Sequence, residues 1–321
     1  MTKVLSFIYK NLTADVKVVW LYVIESKGSS PGRKSFQMAI NENGKFTGTI
    51  GGGIMEVKLI ALAKDMLLND EPIALVKKQF HHKENPKQRS GMICSGEQTI
   101  VLMPLTSLDL ITIQELMSPE NLNAYNIIFS HKGMTISEGP TQADDVRSET
   151  EFRVSVSLKA KPLIHIFGAG HVGMAAAKQF AFLDREVILY DNRADLMRPQ
   201  DMEHLYCLIN YEKINDQVQI KSKDVVIIVS HSYRDDKVIL KQLYNASTCF
   251  IGIMGSDAKL AHLWQELKDD GIEESDLAHI KAPIGLPIYS KSAAEIAVSI
   301  AAEVINELNK DLPTGRGTYV E

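Results

Sequence analysis

The segment whose residue types and spacing most directly specify a chemistry is a glycine turn, Gly168-x-Gly170-x-x-Gly173. It lies between an apolar run, Leu163–Phe167, and an alanine-rich helical stretch. A second apolar run, Glu186–Tyr190, ends at Asp191, roughly 20 residues on. Gly168 permits a tight turn, Gly170 lets backbone amides approach a diphosphate, and Gly173 lets the helix pack closely on the strand. The helix start adds unbonded N–H groups and a partial positive charge facing the anion. Asp191 is placed to accept hydrogen bonds from a ribose or similar diol. The competing reading gives the glycines a packing role alone and makes Asp191 a turn cap. The turn specifies a diphosphate and leaves open what is attached beyond it.

Further polar groups fall at the ends of other apolar runs. His171, inside the turn, reaches either the ligand phosphates or only solvent. Asp224–Ser230 leads into His231, Arg234, Asp235 and Asp236, and Thr248–Ile253 leads into Met254-Gly255-Ser256-Asp257. Ligands of doubly wound sheets collect at the carboxyl ends of the strands. His171, His231 and Ser256 are therefore expected to face one crevice, with Gly255 and Ser256 giving close backbone approach. His231 with Asp235 has the composition of a metal-binding or proton-moving pair; capping of the following helix is the alternative.

The first half carries its own small-residue segments. Gly28-Ser29-Ser30-Pro31-Gly32-Arg33 is turn-forming with one cation. Gly48-Thr49-Ile50-Gly51-Gly52-Gly53 precedes a helical segment with Glu56. Three glycines give backbone amides room to form an anion nest at a helix start, or simply a tight turn. Glu56 reads as a site carboxylate or as a surface acid complementing the helix dipole. Cys94 lies in the loop Ser90–Gly96, where a thiolate would be a nucleophile or soft-metal ligand; the alternative is a buried, inert thiol. His81 and His82 stand upstream, at a spacing matching no standard metal motif. With Cys207 and Cys249, both inside strand-like runs, three cysteines are too few and too scattered for a disulfide framework or a zinc site.

The elements that must position these groups fall into two regimes. Met1–Ala14 is helical in spacing, and Val16–Glu25 is a β-branched and aromatic strand. Phe36–Ile40 and Lys45–Thr49 flank a hairpin signal at Asn43-Gly44. A helix through about Leu68 follows, then strands near Ile73–Phe80, Glu97–Leu102, Asn126–Phe129 and Met134–Ser137. This half reads as an α+β domain over 1–145, with 146–161 as a linker. From Pro162 to the end, apolar strands alternating with helices read as a parallel sheet covered on both faces, closed by an amphipathic helix at Ser292–Leu308. The fold class is α/β, with a C-terminal Rossmann-like doubly wound domain over 162–321.

The chain of 321 residues is 45% apolar and 23% charged, with a net charge of −5, so it can bury a core and has no bias toward nucleic acid. No apolar stretch approaches the roughly 20 residues that cross a bilayer, and the N-terminus lacks a signal-peptide pattern. The expectation is a cytoplasmic protein without nucleic-acid or membrane partners.

Eight segments in order resemble the xanthine dehydrogenase accessory protein family, XdhC/CoxI: GSSPGR (28–33), GTIGGGIME (48–56), GMICSG (91–96), IFGAGHVG (166–173), YDNR (190–193), SHSYRDD (230–236), GIMGSDAK (252–259) and APIGLPIYSKSAAEIAVSIAAEV (282–304). The resemblance implies an XdhC/CoxI domain followed by a Rossmann domain. It also implies a role in binding, protecting and sulfurating molybdenum cofactor and in delivering it to a molybdenum hydroxylase apo-enzyme of the xanthine dehydrogenase type. A cysteine desulfurase is an implied second partner, and a homodimer the expected assembly. On this reading Gly168, Gly170, His171, Gly173, Asp191, Arg193, Gly255, Ser256, Ser29, Ser30, Gly51, Gly52, Gly53 and Glu56 hold the cofactor. Cys94 is the thiolate or molybdenum ligand and His231 an accessory acid/base. The chain departs from the family pattern at Lys34-Ser35, at Ile54-Met55 where a cysteine is usual, at Ser95, at Asp257-Ala258 in place of two arginines, and at Tyr289-Ser290. The alternative function is an NAD(P)-dependent oxidoreductase built on the same turn; a third reading is a nucleotide-sensing module without chemistry.

Overall fold

The computed structural model describes residues 2–28, 30–69, 72–80, 96–117, 125–141, 143–158, 162–196 and 200–310. It divides between Ala160 and Lys161 into two units. In the first, β1 (Val18–Gly28) opens with seven consecutive buried residues, because both of its faces are covered. It is central in an antiparallel sheet of order β3-β2-β1-β5-β4, with β2 Gln37–Asn41, β3 Phe46–Thr49, β4 Leu75–Phe80 and β5 Gly96–Leu105. The expected hairpin joins β2 and β3, with Gly44 at φ 76°. α2 (Gly53–Leu67) lays Leu59, Ala63, Met66 and Leu67 on one face of the sheet, against Val19, Leu21, Ile40 and Leu102. Against the other face pack α1 (Thr2–Thr13), α3 (Leu110–Met117) and a second sheet, where Trp20 meets Phe129 edge-on at 5.4 Å.

That second sheet corrects the expected linker. Its order is β7-β6-β9-β8, with β6 Tyr125–Ser130, β7 Gly133–Glu138, β8 Asp145–Val146 and β9 Phe152–Ser157. β9 pairs with β6 and buries Phe152, Val154 and Val156 in alternation with Arg153, Ser155 and Ser157. A period of two, each apolar residue followed by a polar one, makes such a segment look like a polar junction by composition although one face is core.

The second unit is a Rossmann-type domain. β10 (Ile164–Phe167), β11 (Val187–Asp191), β12 (Tyr206–Leu208), β13 (Val225–Ile228) and β14 (Phe250–Ile253) pair in parallel, in the order β12-β11-β10-β13-β14. A single parallel bridge from Gly252 to Lys281 extends this edge. α4 (His171–Phe182) and α9 (Ala293–Asn309) cover one face, α6 (Tyr233–Leu243) and α7 (Asp257–Asp269) the other; short helices α5 (Ile214–Gln217) and α8 (Glu274–Leu277) complete the unit. Coverage on both faces is why the strands read as continuous apolar runs. The chain reverses its direction of winding between β10 and β13, so the segments leaving their carboxyl ends diverge and open a crevice.

Candidate functional site

The glycine turn has the geometry its spacing predicts. Gly168 stands at φ 115°, and a Cβ there would lie 2.4 Å from the Val229 carbonyl oxygen. A Cβ on Gly173 would lie 1.8 Å from the Gly168 carbonyl oxygen. Both positions therefore require glycine for backbone packing. Gly170 differs: it is the N-cap of α4, makes no side-chain cap bond, and a Cβ on it would meet nothing within 4 Å among the described residues. The first turn of α4 contains no acidic residue, and His171 at its start is exposed. The amides and positive end of this helix thus face open space, an arrangement suited to an anion.

Asp191 does not have the freedom expected of a diol acceptor. Its Oδ2 accepts from the Ala169 amide (2.7 Å) and from Arg193 Nη2 (2.7 Å). Its Oδ1 accepts from the Arg193 amide (3.0 Å) and Nε (2.8 Å). Burial alone would raise this carboxyl; the hydrogen bonds from Arg193 and the two amides outweigh it and hold it below the usual carboxylate range. Asp191 is 1% exposed, whereas the Arg193 side chain is 28% exposed.

At the ends of β13 and β14 the structure joins residues that sequence reasoning left separate. Asp236 is buried in the first turn of α6, accepts from the Ser230 hydroxyl (2.5 Å), and forms an ion pair with Lys259 of α7, whose Nζ also reaches the Met254 carbonyl (3.4 Å). Burial pushes the Asp236 carboxyl up, and Lys259 and Ser230 oppose that only in part. The available signal was an acid at position 236 in helical phase with the buried Ile239, Leu240 and Leu243, which calls for a buried partner. His231 is half-exposed with Nδ1 3.3 Å from Asp235, and Asp235 also accepts from Asn192 (3.4 Å), linking the β11 and β13 ends. Gly255 and Ser256 both have local structural roles. A Cβ on Gly255 would press on Leu260 at 3.0 Å, and the Ser256 hydroxyl caps α7 by accepting from the Lys259 amide (3.3 Å).

In the first unit the glycine nest is filled by the chain itself. Gly51, Gly52 and Gly53 all have positive φ. The Glu56 carboxylate accepts from the Thr49 hydroxyl (2.7 Å) and from the Ile50 and Gly52 amides (3.0 Å each). The anion expected at this helix start is Glu56. Ser30 is buried and donates to Gln98 Oε1 (3.0 Å), which also accepts from the Gly32 amide (3.1 Å), while Gln98 Nε2 donates to Gln79 (2.6 Å). Gly51 packs on Gly32, where a Cβ would fall 2.5 Å from the Gly32 nitrogen. The 28–33 and 48–56 segments and the start of β5 thus meet at one end of the sheet. Ser29, His81, His82 and Cys94 lie outside the described residues. Among the described residues no group of three or more His, Cys, Asp or Glu is arranged to hold a metal ion, and no helix is long and apolar enough to cross a membrane.

Residues 164–304 match the family described as the XdhC Rossmann domain, and residues 12–77 match the XdhC and CoxI family. The chain belongs to the XdhC and CoxI family. Three relatives are similar to this member. It is 24% identical over 292 residues to YqeB of Escherichia coli K12, covering 89% of this chain and 43% of YqeB. It is 27% identical over 150 residues to a probable xanthine dehydrogenase subunit of Bacillus subtilis 168, covering 46% of this chain and 43% of that subunit. It is 21% identical over 304 residues to the molybdenum cofactor insertion chaperone PaoD of E. coli K12, covering 94% of this chain and 86% of PaoD. The matched region thus spans less than half the length of the first two. A solved structure of a xanthine dehydrogenase from Bacillus halodurans has a TM-score of 0.73 and 21% identity, covering 98% of both chains, a likeness of fold.

Proposed function

We propose that this XdhC/CoxI family member binds molybdenum cofactor, protects it and delivers it, with support for its sulfuration, to an apo-enzyme of the molybdenum hydroxylase class in the cytoplasm. The observation that carries the reading is the uncapped start of α4 with open space at Gly170. It fits the phosphate end of a pterin cofactor: Gly170, His171 and the following amides would hold the phosphate, and Arg193 would supply a nearby cation. Bound there, the cofactor supplies the molybdenum dithiolene centre that the client enzyme uses. The protein's own task is to bind and orient the phosphate end. Cys94 as a thiolate or molybdenum ligand, His231 as an acid/base, a cysteine desulfurase partner and a homodimer belong to the same proposal. The name of PaoD, a cofactor insertion chaperone, supports the reading.

The test is anaerobic binding of molybdenum cofactor to the purified chain, followed by transfer to a cofactor-free hydroxylase. Stoichiometric binding with recovery of hydroxylase activity is expected. Cys94→Ser is expected to lower cofactor retention, and normal delivery by that variant would remove the thiolate from the proposal. Absence of binding, together with turnover of NAD(P)H on a small substrate, would replace the proposal with the oxidoreductase reading.

A further inference from the structure

Resting on the reading of the Rossmann crevice as a phosphate site, we infer that the end of β11 selects against a plain ribose cis-diol and for a second phosphate, with Arg193 as the specificity-determining residue. In dinucleotide-binding domains the acid at this place accepts the two ribose hydroxyls, and a neighbouring arginine instead marks sites for a ribose phosphate. Here the acid is fully engaged. A carboxylate offers about four acceptor positions, and those of Asp191 are taken by the Ala169 amide, the Arg193 amide, Nε and Nη2, at 2.7–3.0 Å. A diol hydroxyl reaching Asp191 must displace one arm of a bidentate guanidinium pair or the amide that fixes the glycine turn. The first exchange gives up a charge-assisted hydrogen bond, and the second leaves the buried Ala169 amide unpaired.

Arg193 presents the opposite character. Its Nε and one Nη2 hydrogen are spent on Asp191, its remaining N–H donors are not, and its side chain is partly exposed while Asp191 is sealed. Asp191 also fixes the plane of the guanidinium, so the fork is oriented before a ligand arrives. A ribose diol offers it only uncharged acceptors and finds no acceptor for its own hydroxyl hydrogens. A phosphomonoester brings only acceptors and negative charge, which is what a guanidinium fork matches.

The experiment is calorimetric titration of the full chain with NAD⁺ and with NADP⁺, which differ only by a phosphate on one ribose. NADP⁺ is expected to bind at least about tenfold more tightly, the range of one charge-assisted hydrogen bond. Arg193→Leu is expected to bring the two within about twofold. Should that variant lose its fold by thermal melting, Arg193→Lys, which keeps a cation beside Asp191 but loses the fork, is expected to retain a reduced NADP⁺ preference. Equal affinities in the unaltered chain, tighter NAD⁺, or binding of neither nucleotide would overturn the inference. The two claims fail separately: cofactor delivery without NADP⁺ preference sinks this inference alone, and NADP⁺ preference without molybdenum cofactor binding sinks the delivery role alone.

Discussion

Two glycine-rich turns lead into helices in this protein, one ahead of α2 and one ahead of α4, and they end in opposite states. Ahead of α2, Gly51–Gly53 turn the backbone through positive φ and its amides converge on Glu56, three residues into the helix. Ahead of α4, the turn packs through Gly168 and Gly173, no acid follows in the first turn, and Gly170 faces open space. Both turns present amides to an anion, as helix starts do. The difference lies in whether the chain supplies that anion itself. A glycine-rich helix start is a ligand site only where the first turn withholds a carboxylate.

The largest effect that sharpens this contrast is steric. Gly173→Ala drives a methyl into the Gly168 carbonyl and is expected to destabilise the Rossmann unit by about 3 kcal/mol or more. A thermal melt within about 2 °C of the parent would mean that the turn tolerates a side chain.

Glu56→Ala is expected to cost about 1–2 kcal/mol through the unpaired amides, and to make the melting temperature rise with added sulfate or phosphate as the anion takes the vacated place. An anion response equal to the parent's would break the comparison by showing that the nest was never anion-selective. Gly170→Ala is expected to leave stability within about 0.5 kcal/mol, because the added methyl meets no atom within 4 Å among the described residues. It is expected to weaken ligand binding about tenfold by standing where a phosphate approaches the amides. Unchanged affinity would move the ligand elsewhere.

The smallest effect is a control away from the crevice. His165 is buried between the Tyr190 hydroxyl (3.0 Å) and Asp224 (3.3 Å). Burial, opposed by Asp224, lowers its imidazole below the ordinary value of 6.5. Neutral in the folded state, it donates Nε2–H to Asp224 and accepts at Nδ1 from Tyr190, since a carboxylate only accepts. The unfolded chain takes up the proton first, so this stability is present above pH 6.5 and lost as pH falls below it. The loss is expected to be absent in His165→Gln; urea midpoints at pH 7.5 and 5.5 for both proteins measure it.

The Rossmann unit was legible because its signals are local: glycines at fixed offsets, apolar strands bounded by helices, and Asp191 at a fixed distance. The partners of those residues were not legible, because they depend on how side chains turn and helices pack in the folded chain. Asp191 reads as an acceptor until Arg193, two residues on, turns back to occupy it. Lys259 and Asp236, 23 residues apart, meet only after α6 and α7 pack side by side. Strand β9 reads as part of a linker because its polar residues dominate its composition while its alternate apolar residues decide its fate. Glu56 was open to two readings, and its three hydrogen bonds make it a member of the turn it follows.

The reversal of strand order between β10 and β13 has a consequence for how this protein can drift. The opening at that point is produced by connectivity, with one crossover leaving to each side, and no side chain has to be removed to create it. Its rim residues are therefore free to be exchanged while the opening persists, and lineages that differ in four of every five positions, as this chain and its Bacillus halodurans structural counterpart do at 21% identity, can inherit the same receptacle and re-specify its contents at the rim alone.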